Sequence, residues 1–203
     1  MTTSVIRHLR SFARCSLAVT LIGLMAVVLP IATQTPQRAN AAAMTGFTQV
    51  SISGPFTCAL KSDGTVWCWG NNVAGKLGDG TTTNRNRPVQ VSGLSGVTSV
   101  EAGYDFSCAL KSDGTVWCWG SNGNGQLGNG TTTSSSTPVQ VTGLTGVTQV
   151  GVGYSHACAV KADQTLSCWG WNVLQMLGDG TTTSRSTPIS VSGITTAVEV
   201  RGG

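Results

Sequence analysis

"CALKSDGTVWCWG" runs from Cys58 to Gly70 and returns, unchanged at all thirteen positions, from Cys108 to Gly120. A third version, "CAVKADQTLSCWG" from Cys158 to Gly170, keeps both cysteines and the closing Trp-Gly while much of its interior changes. The copies stand 50 residues apart, and the register extends well beyond them. Residues 47–96, 97–146 and 147–196 align without a gap, the first two sharing 31 of 50 positions and the second and third 27 of 50. Self-similarity of that strength makes the chain an array of one structural unit, which decides the architecture before any single motif does.

Inside a unit the pattern is that of short strands. Val97-Thr98-Ser99-Val100 reads as the first, and Ser107–Lys111 and Thr115–Trp119 as two more, separated by the turn residues Ser112-Asp113-Gly114. Pro138-Val139-Gln140-Val141 reads as the fourth, with Pro138 at its first position, where a missing N–H is tolerated. No window carries a helical apolar period. From about Gly120 to Thr137 the chain is rich in Gly, Thr, Ser and Asn, the composition of a long turn-filled loop. Four short strands in a period of about 40–50 residues are the pattern of a propeller blade. The expected fold is therefore all-β, built of blades of four antiparallel strands.

"WGSNGNGQLGNGTTTSSSTPVQV", from Trp119 to Val141, resembles the repeat of the regulator-of-chromosome-condensation family, with its W-G-x-N-x-x-G-Q-L-G signature, G-T-T run and Pro-Val strand. The first unit has Lys76 where Gln126 stands in the second; the third keeps Trp169, Gly170, Asn172, Leu177 and Gly178 but carries Gln175 and Met176 in place of the Gly-Gln pair. The resemblance implies a seven-bladed propeller. Three units cannot close such a ring, and "AVEVRGG" at 197–203 matches the opening strand of a further unit. The expectation is a fragment of a longer protein, with a fourth repeat begun at 197–203 and the missing blades in the same full-length chain.

The N-terminus bears on compartment and charge. Arg7, Arg10 and Arg14 precede an apolar run from Leu17 to Ala32, and Ala39-Asn40-Ala41 and Ala41-Ala42-Ala43 both offer A-x-A cleavage patterns. This is the layout of a secretory signal peptide, so 1–43 is read as signal peptide and linker, cleaved after Ala41 or Ala43. Retention as a membrane anchor is the alternative, although the run is shorter than the about 20 residues a span needs. Four of the 12 Lys and Arg (Arg7, Arg10, Arg14 and Arg38) lie in this segment, leaving eight basic residues against 8 acidic ones. The net +4 thus belongs to the leader, and binding of nucleic acid, which needs clustered cations on the folded part, is not expected. Of 7 cysteines, Cys15 leaves with the leader and an even six remain. The chain is expected to be secreted or at the cell surface, with no membrane contact beyond the signal segment.

If Ser62-Asp63-Gly64 is a three-residue loop with Gly64 in the left-handed conformation, Cys58 faces Cys68 across the ladder. Opposed residues of a non-hydrogen-bonded pair lie about 4.5 Å apart at Cα, close enough for a disulfide. The expected bonds are Cys58–Cys68, Cys108–Cys118 and Cys158–Cys168. Zinc sites use closer C-x₂₋₄-C spacing with further ligands, and His156 is the single histidine after residue 43. A thiol redox centre uses C-x-x-C beside a helix.

Little else carries chemistry. His156 in "GYSHAC" aligns with Phe56 and Phe106, which marks a packing or rim position, and Ser155 lacks the strand-turn-helix setting of a nucleophile. "GDGTTT" at Gly78–Thr83 and Gly178–Thr183 brings one carboxylate per loop, and Asn129 replaces it in the second unit; a turn fits better than a calcium site. No metal, cofactor or catalytic residue is expected. Trp69, Trp119 and Trp169 recur in every unit as packing anchors. Trp67 and Trp117 give way to Ser167, Trp171 is peculiar to the third unit, and Arg85 and Arg87 are absent from the second. These five are the candidate interaction residues. The expected function is an exported, non-enzymatic propeller module that binds a protein or other extracellular ligand, of identity unknown, through its loop faces. The alternative is a propeller region attached to a downstream enzyme or cell-surface adhesin. Nuclear members of the family are nucleotide exchange factors that dock on chromatin, a role that export and a neutral folded part disfavour.

Overall fold

The computed structural model describes residues 44–202. The segment 1–43, where the export signal is expected, lies outside the described residues. Twelve strands form three four-stranded antiparallel sheets, one per repeat. Blade 1 holds β1 (Phe47–Ser53), β2 (Phe56–Lys61), β3 (Val66–Gly70) and β4 (Arg85–Gln90). Blade 2 holds β5 (Val97–Ala102), β6 (Phe106–Lys111), β7 (Val116–Gly120) and β8 (Ser135–Gln140). Blade 3 holds β9 (Val147–Val152), β10 (His156–Lys161), β11 (Leu166–Gly170) and β12 (Arg185–Ser190). The strands pair in sequence order, and β1, β5 and β9 approach one another as the inner edges of their sheets.

The central hairpin follows from its turn. Lys61 N–H donates to the Thr65 carbonyl at 2.9 Å and Gly64 N–H to the Lys61 carbonyl at 2.9 Å, leaving Ser62-Asp63-Gly64 as the loop. Gly64 sits at φ +77°, a left-handed value that glycine adopts without steric penalty. The third copy holds the same turn with Gln164 at φ +63°. Asp63 Oδ1 accepts the Thr65 N–H at 2.9 Å, and Asp113 and Asp163 repeat that bond. Hydrogen bonds from Thr165 hold the exposed Asp163 carboxyl down at about 2. Above this turn Leu60 faces Val66, Ala59 faces Trp67 and Cys58 faces Cys68. In each blade the two cysteines are joined, with Cα atoms 4.1 Å apart.

The outer strand of each blade begins earlier than its sequence suggests. β8 starts at Ser135, so Pro138 is its fourth residue, and β4 treats Pro88 the same way. Both are outer strands, and the pairing of β8 with β7 is interrupted between Cys118 and Gly120. The missing proline N–H falls in that irregularity, where no ladder bond is lost.

The cores lie between blades. Phe56, Cys58, Cys68, Leu77, Val91 and Leu94 on the front of blade 1 pack against Val97, Val100, Ala102 and Trp119 on the back of blade 2. The joint between blades 2 and 3 repeats this with Phe106, Cys108, Cys118, Leu127, Val141 and Leu144 against Val147, Val150, Val152 and Trp169. The disulfides of blades 1 and 2 are thus part of the interblade cores. Trp119 Nε1 donates to the Lys76 carbonyl and Trp169 Nε1 to the Gln126 carbonyl, both at 2.9 Å. Each indole is clamped by the long loop of the blade before it, close enough that a Cβ on Gly78 would come within 2.8 Å of Trp119. The loop reaches further: Gly80 N–H donates to the Ser136 carbonyl on β8, and Gly130 N–H to Ser186 on β12.

Residues 197–202 form no strand, yet Ala197 N–H donates to the Gln164 carbonyl at 3.0 Å, as Val97 does to Gly64 and Val147 to Gly114.

Candidate binding surface

Two sets of connections emerge at one end of each blade. Short turns join the first and second strands, and the long loops 71–84, 121–134 and 171–184 join the third and fourth. They are laced together by backbone bonds: Asn71 N–H to Pro55, Ser121 N–H to Asp105 and Trp171 N–H to Ser155. Each long loop is organised by a fully buried asparagine. Asn72 Nδ2 donates to the carbonyls of Thr81 and Thr83, and its Oδ1 accepts the Leu77 N–H at 2.9 Å. Asn122 and Asn172 repeat the arrangement. Three bonds to backbone from one side chain pin the same points of a fourteen-residue loop in all three copies, although only the first copy places a positive φ at its fourth residue, Ala74 at φ 65°.

The aspartates of "GDGTTT" serve the same loop. Asp79 Oδ1 accepts from Thr81, and its Oδ2 takes Arg85 in an ion pair at 2.7 Å; Asp179 and Arg185 do likewise. Burial pushes the Asp79 carboxyl up, but bonds from Thr81 and Arg85 outweigh it and hold it below its ordinary value. The Arg185 hydrogen bond lowers Asp179 likewise, against desolvation.

The five candidate residues fall on two ends of the blades. Trp171 is partly exposed on the loop-bearing end, beside the exposed Val173 and Leu174. Arg85 stands at this end too, with its guanidinium held by Asp79, while Arg87 is exposed on β4 and makes no ion pair among the described residues. Trp67 and Trp117 lie toward the opposite, hairpin end. Their indole N–H groups donate to Thr65 and Thr115 at 3.1 Å, and Lys61 and Lys111 sit 5.5 and 5.8 Å above their rings. Trp117 also packs against the core between blades 1 and 2.

Sequence reasoning missed one feature of the loop-bearing end. Tyr104 and Tyr154, exposed in equivalent turns of blades 2 and 3, stack with centroids 4.2 Å apart and planes 17° from parallel. Their 50-residue spacing was the available signal; that the two turns come within stacking distance depends on how the blades sit together. The rings rim a cavity of about 340 Å³ that also reaches Glu101. Burial raises the Glu101 carboxyl, opposed by hydrogen bonds from Ser51 and Gln49.

Two titratable groups, one buried and one half-buried, occupy slots that vary between blades. Lys76 is buried with Nζ 5.5 Å from the Phe56 ring centroid, and desolvation lowers its pKa against the attraction of Asp105. Gln126 fills this slot in blade 2, accepting the Asn124 N–H at 2.9 Å. Lys76→Gln is expected to raise Tm at pH 7 by about 2–4 °C, the shift that about 1 kcal/mol produces at this size. Because the folded pKa of the lysine lies below its unfolded one, the wild type regains stability as pH rises through the folded value. The advantage of the variant should therefore shrink toward pH 10.5, which thermal unfolding across that range checks.

His156, half-buried where blades 1 and 2 carry phenylalanine, has its pKa lowered by desolvation. Its contribution to stability is present above about 6.5 and is lost as pH falls through the folded value. His156→Phe should remove the part of the acid destabilisation that sets in as pH falls below about 6.5, read from unfolding midpoints.

Comparison with known proteins accords with this geometry. The regulator of chromosome condensation (RCC1) repeat matches residues 63–110 and 113–160, and a second form of the same repeat matches 47–76, 97–126 and 147–174. The crystal structure of human WBSCR16 is similar with a TM-score of 0.68 and 27% identity, over 77% of this chain and 42% of that one. Yeast RCC1 (Prp20), in a crystal structure bound to Kap60, shares the fold with a TM-score of 0.65 and 20% identity, over 77% of this chain and 40% of that one. The chain thus spans about two fifths of the length of these solved relatives. No curated protein matches the sequence. With the repeat matched from residue 47 to 174, and the matches of its second form falling one on each blade, the chain belongs to the regulator of chromosome condensation repeat family.

Proposed function

We propose that this chain is an exported, non-enzymatic propeller module that binds a protein or other extracellular ligand through its loop-bearing end. The observation that carries this reading is the concentration of blade-specific apolar residues there. Trp171, partly exposed, and Leu174, exposed, break the repeat beside the exposed Val173, on a loop whose backbone is held rigid by Asn172. Exposed aromatic and aliphatic anchors on a rigid frame are what a binding face requires, since little ordering entropy opposes association. Three cross-linked cysteine pairs fit an oxidising compartment, and the apolar run before residue 43 supplies the route to it. Solved relatives of which the chain covers only about two fifths support a ring of more blades than three presenting this face.

The test compares the two ends of the blade. The chain, with a photo-crosslinking residue at position 171 or at position 113 in the hairpin turn, is exposed to the extracellular proteins and glycans of the producing culture. Adducts from position 171 and few from position 113 are expected. Equal yields, or adducts from the hairpin end alone, would contradict the reading.

A further inference from the structure

Of the 8 aspartate and glutamate side chains, six stand in ion pairs with a nearby Lys or Arg. The two without one among the described residues are Glu101 and Asp105, on either side of Tyr104 in the blade 2 sequence. Asp105 attracts the buried Lys76 across the joint. Glu101 feels the charge of Arg201, but that guanidinium is bound to Glu199. Glu101 is nevertheless held in place. Gln49 Nε2 donates to its Oε1 at 3.2 Å and Ser51 Oγ to its Oε2 at 3.3 Å. Both donors are themselves fixed on the β5 backbone, Gln49 by the Val100 carbonyl and N–H at 2.9 and 3.0 Å, and Ser51 by the Ala102 N–H at 2.9 Å. One hydrogen bond to each oxygen leaves acceptor capacity on both. Beside this carboxyl opens the cavity of about 340 Å³ rimmed by Tyr104 and Tyr154. The Tyr104 ring is itself enclosed, stacked on Tyr154 and set against Gly54, where an added Cβ would stand 3.7 Å away. Blade 2 has a neighbour on each side, and these surroundings of Glu101 and Tyr104 come from those neighbours.

We propose that this cavity takes the side chain of an arginine from a protein partner, its guanidinium paired with Glu101 inside the tyrosine rim. The inference rests on the reading of the loop-bearing end as the binding face and names the anchor that the face receives. The charge is complementary: burial disfavours the Glu101 carboxylate, and a cation in the cavity offsets that cost. The shape is complementary too. Two oxygens with open lone pairs match the planar fork of a guanidinium, and Ala102 and Val152 line the cavity as apolar wall for the methylene stem. A single carboxylate in a space of this size does not build a calcium site, which gathers several oxygens around one ion. The source is a protein because the exposed Val173 and Leu174 and the partly exposed Trp171 lie at the same end, and they give a polypeptide apolar area around the charged anchor.

The test titrates the isotope-labelled chain with N-acetyl-arginine methylamide and follows its amide resonances. Shifts centred on Glu101, Tyr104 and Tyr154, saturating at about millimolar probe, are expected. The citrulline analogue, equal in shape but uncharged, should bind about tenfold more weakly, since hydrogen bonds between charged groups are the stronger ones. Glu101→Gln should weaken the arginine response about tenfold and leave the citrulline response unchanged. Circular dichroism checks that this half-buried position tolerates the near-isosteric change. Glu199→Gln, which removes the neighbouring paired carboxylate, should respond as wild type does. Equal responses to arginine and citrulline, shifts centred away from the cavity, or an unchanged arginine response in Glu101→Gln would overturn the proposal. The crosslinking experiment separates this failure from that of the wider reading. Adducts from position 171 with no arginine response leave the binding face standing and remove the arginine anchor. Adducts confined to the hairpin end would overturn the reading and, with it, the protein source of the arginine.

Discussion

Replacing Trp119 with alanine should destabilise the chain by about 3–5 kcal/mol, the range for removing a large aromatic side chain from a core. The indole is fully buried between blades 1 and 2, its Nε1 on the Lys76 carbonyl and its edge against Gly78. That carbonyl keeps a second bond from the Ser107 hydroxyl at 3.1 Å, so the loss comes mainly from packing and from the cavity left in the joint. At about 2–4 °C per kcal/mol, Tm should fall by roughly 10 °C. Trp69→Ala is the informative control. Trp69 holds the same position in blade 1 but is partly exposed and has no loop clamping it, so the same deletion should cost far less. Equal losses for the two variants, measured by calorimetry, would show that the interblade clamp is not what makes this tryptophan matter.

The second large effect concerns the disulfides. Each links residues ten apart in sequence, and on the chain-entropy model a loop of that size contributes about 2–3 kcal/mol. Three such links amount to roughly 6–9 kcal/mol, comparable with the about 5–15 kcal/mol that holds a typical domain folded. Chain that is unfolded, reduced and alkylated should therefore fail to regain its β-sheet circular dichroism at 25 °C, while chain unfolded without reductant should recover it. Replacing only Cys108 and Cys118 by serine should leave a folded protein with a lower midpoint, since the other two links remain. Full recovery of the alkylated chain would show that the blades stand without their cross-links.

What was legible in the sequence is what lies within one unit. Hairpin register follows from a turn of known geometry, so Cys58 opposite Cys68 could be read from the string "SDG" and strict alternation. The start of β8 could not, because Pro138 looks like a strand boundary until the interruption beside it removes the need for its N–H. Contacts between units were harder to read. The Trp119 bond to Lys76 crosses 43 residues, and it depends on how one sheet is set against the next, which no local pattern encodes. Arg85 shows the same limit: a charge absent from the second unit looks available for a partner, yet it closes its own loop through Asp79. The change is coherent across the unit, because Asn129 and Ser135 replace both members of that pair in blade 2. The tyrosine stack needed the blade-to-blade placement as well, whereas Trp171 could be singled out because it breaks the repeat.

The account of this chain as a disulfide-stapled propeller module working outside the cell meets its most direct test in one intact-mass measurement. The protein is taken from the extracellular or cell-surface fraction of its own host, alkylated without reduction and weighed, then weighed again after reduction and alkylation. A mass beginning at Ala42 or Met44, six hydrogens lighter than the thiol form, and six alkylation sites appearing only after reduction are the predicted results. A chain that retains residues 1–43 and stays inside the cell, or six thiols alkylated without reductant, would contradict it.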